Sequence, residues 1–290
     1  MAEYLVIVVT GTSRGIGKGI VNVLARQKLD RSLVIYATSR SGKDTGVEPV
    51  PPNEIHYGKL DTTNKDSIKS LFDKVIKSHG AVDVLINNAA ISDDDHEALT
   101  LWNNYGGTRD MCDAFLSQPT IRPGARIVSV TSGLNALSTY GENVQKMIRE
   151  ASNVSDIDAV AQRYHADVVA GPQAQESAGW GTSARSYKVS KALINTLTVV
   201  LAKKHANVLI NSCCPGWTDT DMGKQGKGTP PKTPEQGAQT AVRCAIGDLG
   251  PGGDEDGGLG QESDNVSGRF YENANIVAVG WGSSKLWMET

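Results

Sequence analysis

The stretch Thr10-Gly11-Thr12-Ser13-Arg14-Gly15-Ile16-Gly17 decides the fold. Leu5-Val6-Ile7-Val8-Val9 precedes it, the continuous apolar run of a strand buried on both faces. After it, Lys18 to Ala25 carries Ile20, Val23 and Leu24 at helical spacing. A strand, a glycine-rich turn and a helix start in that order make an anion site, because turn N–H groups and the positive end of the helix dipole converge. A phosphoryl-transfer loop would need Ser or Thr after Gly17-Lys18 and glycine five residues before Gly17. Gly19 and Thr12 stand there instead. The glycines also run G-x-x-x-G-x-G rather than G-x-G-x-x-G.

Downstream, strand and helix patterns alternate. Strands are expected at 33–38, 55–60, 82–86, 126–130 and 208–213, with a short last one at 269–271. Helices are expected at 67–78, 100–117, 186–204 and 234–246. This alternation predicts an α/β fold, a Rossmann-like doubly wound parallel sheet with helices on both faces. Residues 133–183 break the rhythm and read as an insertion of one or two helices ahead of the tyrosine helix described below. Residues 247–268 are rich in Gly, Asp and Glu and read as a solvated loop. Nothing divides the chain, so 1–290 is taken as one domain.

Hydrophobic residues make up 39% of the 290, enough for a large core and too many for a disordered chain. A net charge of −3 offers no field that would draw nucleic acid or an anionic membrane. No run approaches the roughly 20 apolar residues that span a bilayer, and no leader pattern precedes the first strand. A cytoplasmic protein is therefore expected. Cys112, Cys213, Cys214 and Cys244 lack zinc spacing, the five histidines are scattered, and no metal is expected. Cys213 and Cys214 read as small buried hydrophobes.

The second motif is Tyr187-Lys188-Val189-Ser190-Lys191. On a helix, Tyr187 and Lys191 share a face. A phenol with a pKa near 10 is a poor acid or base at neutral pH, and an ammonium one turn away should lower it. Such a pair can give a proton to a developing alkoxide or take one from an alcohol. The lysine's three donors could also hold a ribose.

Taken together, these markers resemble the short-chain dehydrogenase/reductase superfamily over most of the chain. They are T-G-x-x-x-G-x-G at 10–17, Asp61, Asn87-Asn88-Ala89-Ala90, Ser132, Tyr187 with Lys191, and Pro215-Gly216 followed by Thr220. Each falls at an expected C-terminal strand end or on the next helix, where open α/β sheets bind ligands. The resemblance implies that Tyr187 is the catalytic acid/base and that Lys191 tunes it and binds ribose. It implies that Ser132 bonds the substrate oxygen, with Ser129 and Thr131 as alternatives. The family's helix asparagine matches Asn104, with Asn103 its competitor. Gly11, Ser13, Arg14, Gly15, Ile16, Gly17, Asn88, Ala89, Pro215, Gly216 and Thr220 would line the cofactor. Asp61 would receive the adenine edge. Asn88 could also be a strand-end turn, and Asp61 a helix N-cap. The family usually has N-N-A-G where this chain ends in Ala90.

An NAD site would favour an acid after the second strand. This chain offers Thr38-Ser39-Arg40 there and Arg14 in the turn. Two guanidinium groups suit a ribose 2′-phosphate, so NADP(H) is expected. The long segment between Ser132 and Tyr187, with Gly179-Trp180, Gly107-Thr108-Arg109-Asp110 and Pro215-Gly216-Trp217, resembles the monomeric carbonyl reductase branch. In that branch the insertion covers the face that other members use to form tetramers, which implies a monomer. Trp217 would face the substrate or anchor its loop. The expected activity is NADPH-dependent reduction of small-molecule aldehydes, ketones or quinones. A dedicated ketoreductase or alcohol dehydrogenase is the alternative within the family, and a non-catalytic NADP(H) sensor the alternative outside it.

Overall fold

The computed structural model describes residues 4–93, 96–182, 185–226, 228–247 and 266–290. The strands are β1 (Tyr4–Thr10), β2 (Ser32–Ser39), β3 (Glu54–Lys59), β4 (Val84–Asn87), β5 (Arg126–Val130), β6 (Leu209–Cys213), β7 (Phe270–Glu272) and β8 (Ser283–Lys285). They form one sheet in the order β3-β2-β1-β4-β5-β6-β7-β8. Pairing is parallel from β3 through β7, and only β8 runs antiparallel. Sequence pattern gave no sign of β8, whose three residues Ser283-Ser284-Lys285 are polar. The strand order reverses beside β1, and that switch point opens a crevice at the strands' C-terminal ends.

Side-chain alternation along β1 divides the core. Val6 and Val8 face one apolar cluster, while Leu5, Ile7 and Val9 face the other. The second cluster is roofed by α1 (Gly15–Ala25) and α9 (Pro234–Ile246). These two helices meet so closely that a Cβ on Gly19 would lie 2.3 Å from the Pro234 carbonyl oxygen. The first cluster is covered by α2 (Lys65–His79), α4 (Gly107–Leu116) and α8 (Ser186–Lys204). The boundaries of α8 and α9 are those the sequence predicts, α8 from its long apolar stripe and α9 from its capping box and leading proline.

Two regions differ from expectation. The helix expected at 100–117 is α3 (Glu97–Leu101), a π-helical turn (Trp102–Gly106) and then α4. The π turn leaves no propensity signal, and such turns cluster at functional sites. Among the described residues the insertion holds three α-helices, not one or two: α5 (Glu142–Glu150), α6 (Val154–Val169) and α7 (Pro172–Ser177). Val144, Ile148, Ile157 and Val160 bury α5 and α6 in the first cluster. The stretch 248–265, most of the loop expected at 247–268, lies outside the described residues.

Candidate active site

The glycine turn is tied to the end of β4 through backbone and amide groups. Thr10 Oγ1 accepts from the N–H of Asn88 and of Ala89, each at 2.9 Å. The Asn88 amide donates back to Thr10 O at 2.9 Å and Gly11 O at 3.2 Å. Gly11 has φ +72°, and a Cβ there would lie 2.8 Å from Ala89 Cα. At Gly17 a Cβ would lie 2.2 Å from Gly11 O, so the turn closes only on glycine. α1 then starts from Arg14 with no side-chain cap and no acidic residue in its first turn. Its leading N–H groups are thus left for a ligand.

That helix start opens into a cleft lined by every expected cofactor residue except Gly216. Gly216 serves its own turn, at φ +73°, where a Cβ would meet Ile276 O at 2.6 Å and Lys232 Nζ at 2.8 Å. Ala90 lines the cleft, as do Ser39, Val130, Asp221 and Met222, which sequence reasoning did not assign. Arg40 is exposed at the end of β2. Asp61 is held below the usual carboxylate range by hydrogen bonds from the Thr63 hydroxyl and N–H, with Arg40 adding a smaller pull. Arg14 lines the cleft as expected and pairs there with Asp221 at 2.7 Å, both side chains being exposed.

On the opposite wall, β5 and α8 bring Ser132, Tyr187 and Lys191 together. Ser132 is buried and accepts from Leu134 N–H at 3.2 Å, and its hydroxyl favours the ionised form of the Tyr187 phenol. Of the alternatives, Thr131 lines the cleft and Ser129 does not. Ser129 is buried within β5, and the Thr131 hydroxyl donates to Cys213 O at 3.3 Å. Lys191 is buried, donates to Val130 O at 2.9 Å, and lies 5.7 Å from the Tyr187 ring centre.

The electrostatics correct one expectation. Burial pushes the Tyr187 phenol well above its ordinary value, the Cys214 thiol adds to the rise, and the Ser132 bond pulls it part of the way back. Burial lowers the Lys191 amine to about 8. The neighbouring ammonium was expected to lower the phenol, and desolvation outweighs it. A phenol held protonated beside a hydroxyl suits proton donation better than proton removal.

The two asparagines separate by position. Asn104 is buried in the π turn, bonds the Ile91 backbone in both directions at 2.9 Å, and donates to Ser190 Oγ at 3.1 Å on α8. Asn103 lines the cleft, with its amide bonded to Leu99 O. Trp217 does not line the cleft; its indole donates to Gly223 O at 2.9 Å and anchors its own loop. Cys214, read from sequence as packing only, accepts from Gly133 N–H at 3.1 Å and Gly216 N–H at 3.3 Å, joining the Ser132 and Pro215 loops. Its place directly before Pro215-Gly216 was the available signal.

A ligand crevice at the switch point of a doubly wound sheet defines the class of dinucleotide-binding α/β folds. The family model for short chain dehydrogenases matches residues 5–144. Carbonyl reductase (NADPH) 1 of Mus musculus is 34% identical over 260 residues, 83% of this chain and 90% of that one. The Sus scrofa protein of the same name is 30% identical over 96% of this chain and 94% of its own. Among solved structures, salutaridine reductase from Papaver somniferum superposes with a TM-score of 0.73 at 22% identity, over 93% of this chain and 100% of that one. The chain belongs to the short-chain dehydrogenase/reductase family, in its carbonyl reductase branch.

Proposed function

We propose that this protein is an NADPH-dependent carbonyl reductase acting on aldehydes, ketones or quinones. The observation that carries the reading is the meeting, in one cleft, of an uncapped helix start with Tyr187 and the buried Lys191, with Ser132 buried at the end of β5. The cofactor fits the residues present. The α1 N–H groups suit the pyrophosphate, Arg40 suits a 2′-phosphate, Asp61 suits the adenine edge, and Lys191 suits the nicotinamide ribose. Bound there, NADPH supplies the hydride.

The chain's own part is to orient the carbonyl and deliver the proton. Ser132 Oγ donates to the substrate oxygen as negative charge grows on it. Tyr187 passes its proton to that oxygen, and its raised pKa keeps it loaded at neutral pH. Asn104 holds the π turn against α8 through Ser190. The names of the mouse and pig relatives support both the cofactor and the reaction. One continuous sheet supports reading the chain as one catalytic unit. α6 packed on α3 and α8 supports a monomer, because that face is already covered. Among the described residues no helix is long and apolar enough to cross a membrane, in keeping with a cytoplasmic reductase.

The test is NADPH and NADH oxidation against a panel of quinones, aromatic aldehydes and ketones. Turnover with NADPH in preference to NADH is expected. Tight NADPH binding without turnover across the panel would favour a sensor.

A further inference from the structure

The helix that carries Tyr187 begins without local help. Its N-cap residue is Arg185, which makes no side-chain cap, and no acid lies in its first turn. Such a start should fray, since the leading N–H groups have no intrahelical partner. The missing carboxylate comes from another element. Glu97, the first residue of α3, accepts from Ser186 Oγ at 2.8 Å. The same Oε2 accepts from the Tyr164 hydroxyl at 2.8 Å, and Tyr164 and Ser186 are themselves 2.9 Å apart. Tyr164 and Ser186 are buried and Ser186 immediately precedes Tyr187.

Tyr164 belongs to α6, in the insertion. Its ring meets the wholly buried Trp180 edge-on, with centroids 5.0 Å apart, and the Trp180 indole returns to α6 through Asp167 at 2.9 Å. The same helix reaches the π turn: Tyr105, next to Asn104, donates to Asp158 at 2.7 Å, and Arg109 donates to it at 2.8 Å. One insertion helix therefore references both the start of α8 and the turn that bears Asn104. A covering helix alone would need only an apolar face. Closed, charge-assisted networks of this kind fix geometry.

We propose that Glu97, Tyr164 and Ser186 are positioning residues that hold the first turn of α8, and with it the Tyr187 hydroxyl, in register with Ser132. This rests on reading Tyr187 as the proton donor. A small misplacement of a reacting group can cost far more in rate than in binding. The triad should therefore be visible in turnover and not in cofactor affinity.

The experiment compares Ser186→Ala, Tyr164→Phe, Glu97→Ala, Glu97→Gln and Tyr187→Phe with wild type for kcat, NADPH Kd and the solvent isotope effect on kcat. Tyr164→Phe keeps the ring against Trp180, and Glu97→Gln keeps an acceptor oxygen. Asn153→Ala serves as control. It removes the capping box of α6 without touching the triad, and should lower stability. The expected result is a kcat lowered about tenfold or more in Ser186→Ala, Tyr164→Phe and Glu97→Ala, with a larger isotope effect and NADPH Kd within about twofold. Glu97→Gln should recover most of the rate, and Asn153→Ala should lower Tm with kcat unchanged. If the triad variants lower only Tm, as Asn153→Ala does, while Tyr187→Phe is inactive, the positioning role is overturned and the proton donor stands. Wild-type turnover by Tyr187→Phe overturns both.

Discussion

The two walls of the cleft are made of different material. From β1, β2 and β4 come glycines, backbone N–H groups, an amide that ties the turn shut, and a cation on the surface. From the end of β5 and from α8 come the buried Ser132, Tyr187, and Lys191 held on the Val130 carbonyl. The first wall can recognise an anion and a nucleotide without taking part in bond making. The second has little to offer a phosphate but can move a proton. The contrast teaches where mutations should register, as affinity on one side and as rate on the other.

The sharpest break would come on the chemical wall. Ser132→Ala removes the donor to the growing oxyanion and should lower kcat about 10²–10³-fold, leaving NADPH affinity unchanged in a fluorescence titration. Gly17→Ala probes the binding wall. Its Cβ would lie 2.2 Å from Gly11 O and 2.5 Å from the Asn88 amide, so backbone must move. A stability loss of about 1–3 kcal/mol is expected, read by denaturant titration, with NADPH binding weakened alongside it. Arg40→Ala should weaken NADPH about tenfold, a modest effect because the side chain is exposed, and leave NADH unaltered.

The smallest effect follows from Lys191. Its amine is lowered to about 8 from 10.5, so between those values the unfolded chain holds more protons than the native one. The burial penalty is present in full below pH 8 and is relieved as pH rises towards 10.5. The Tm of wild type relative to Lys191→Met should therefore climb by about 2–4 °C from pH 7.5 to 10. A flat difference would mean that Lys191 keeps its ordinary proton affinity and that the chemical wall is wetter than its burial implies.

How much was legible in advance follows the same division. The glycine turn, β5, α8 and α9 are written in local signals: apolar period, glycine spacing, Thr233-Pro234 at a capping box. From them the resemblance drew Tyr187, Lys191 and more than half of the residues that line the cleft. What it missed depends on contacts between distant segments. The pairing of Arg14 with Asp221 joins two loops some two hundred residues apart, and no local pattern encodes it. The double hydrogen bond to the Cys214 sulfur, the π turn and the third insertion helix likewise need the folded neighbours to be known. The direction of the Tyr187 shift was misjudged for the same reason. Spacing gives the distance between two groups, while desolvation depends on everything around them.

The most direct test is a single turnover of Tyr187→Phe loaded with NADPH and mixed with a quinone or aromatic aldehyde that the wild type reduces. The two-wall account predicts that the variant takes up one equivalent of NADPH with wild-type affinity and leaves it reduced. Oxidation at the wild-type rate would remove Tyr187 from the chemistry. Loss of NADPH binding in the variant would show that the two walls are not separable.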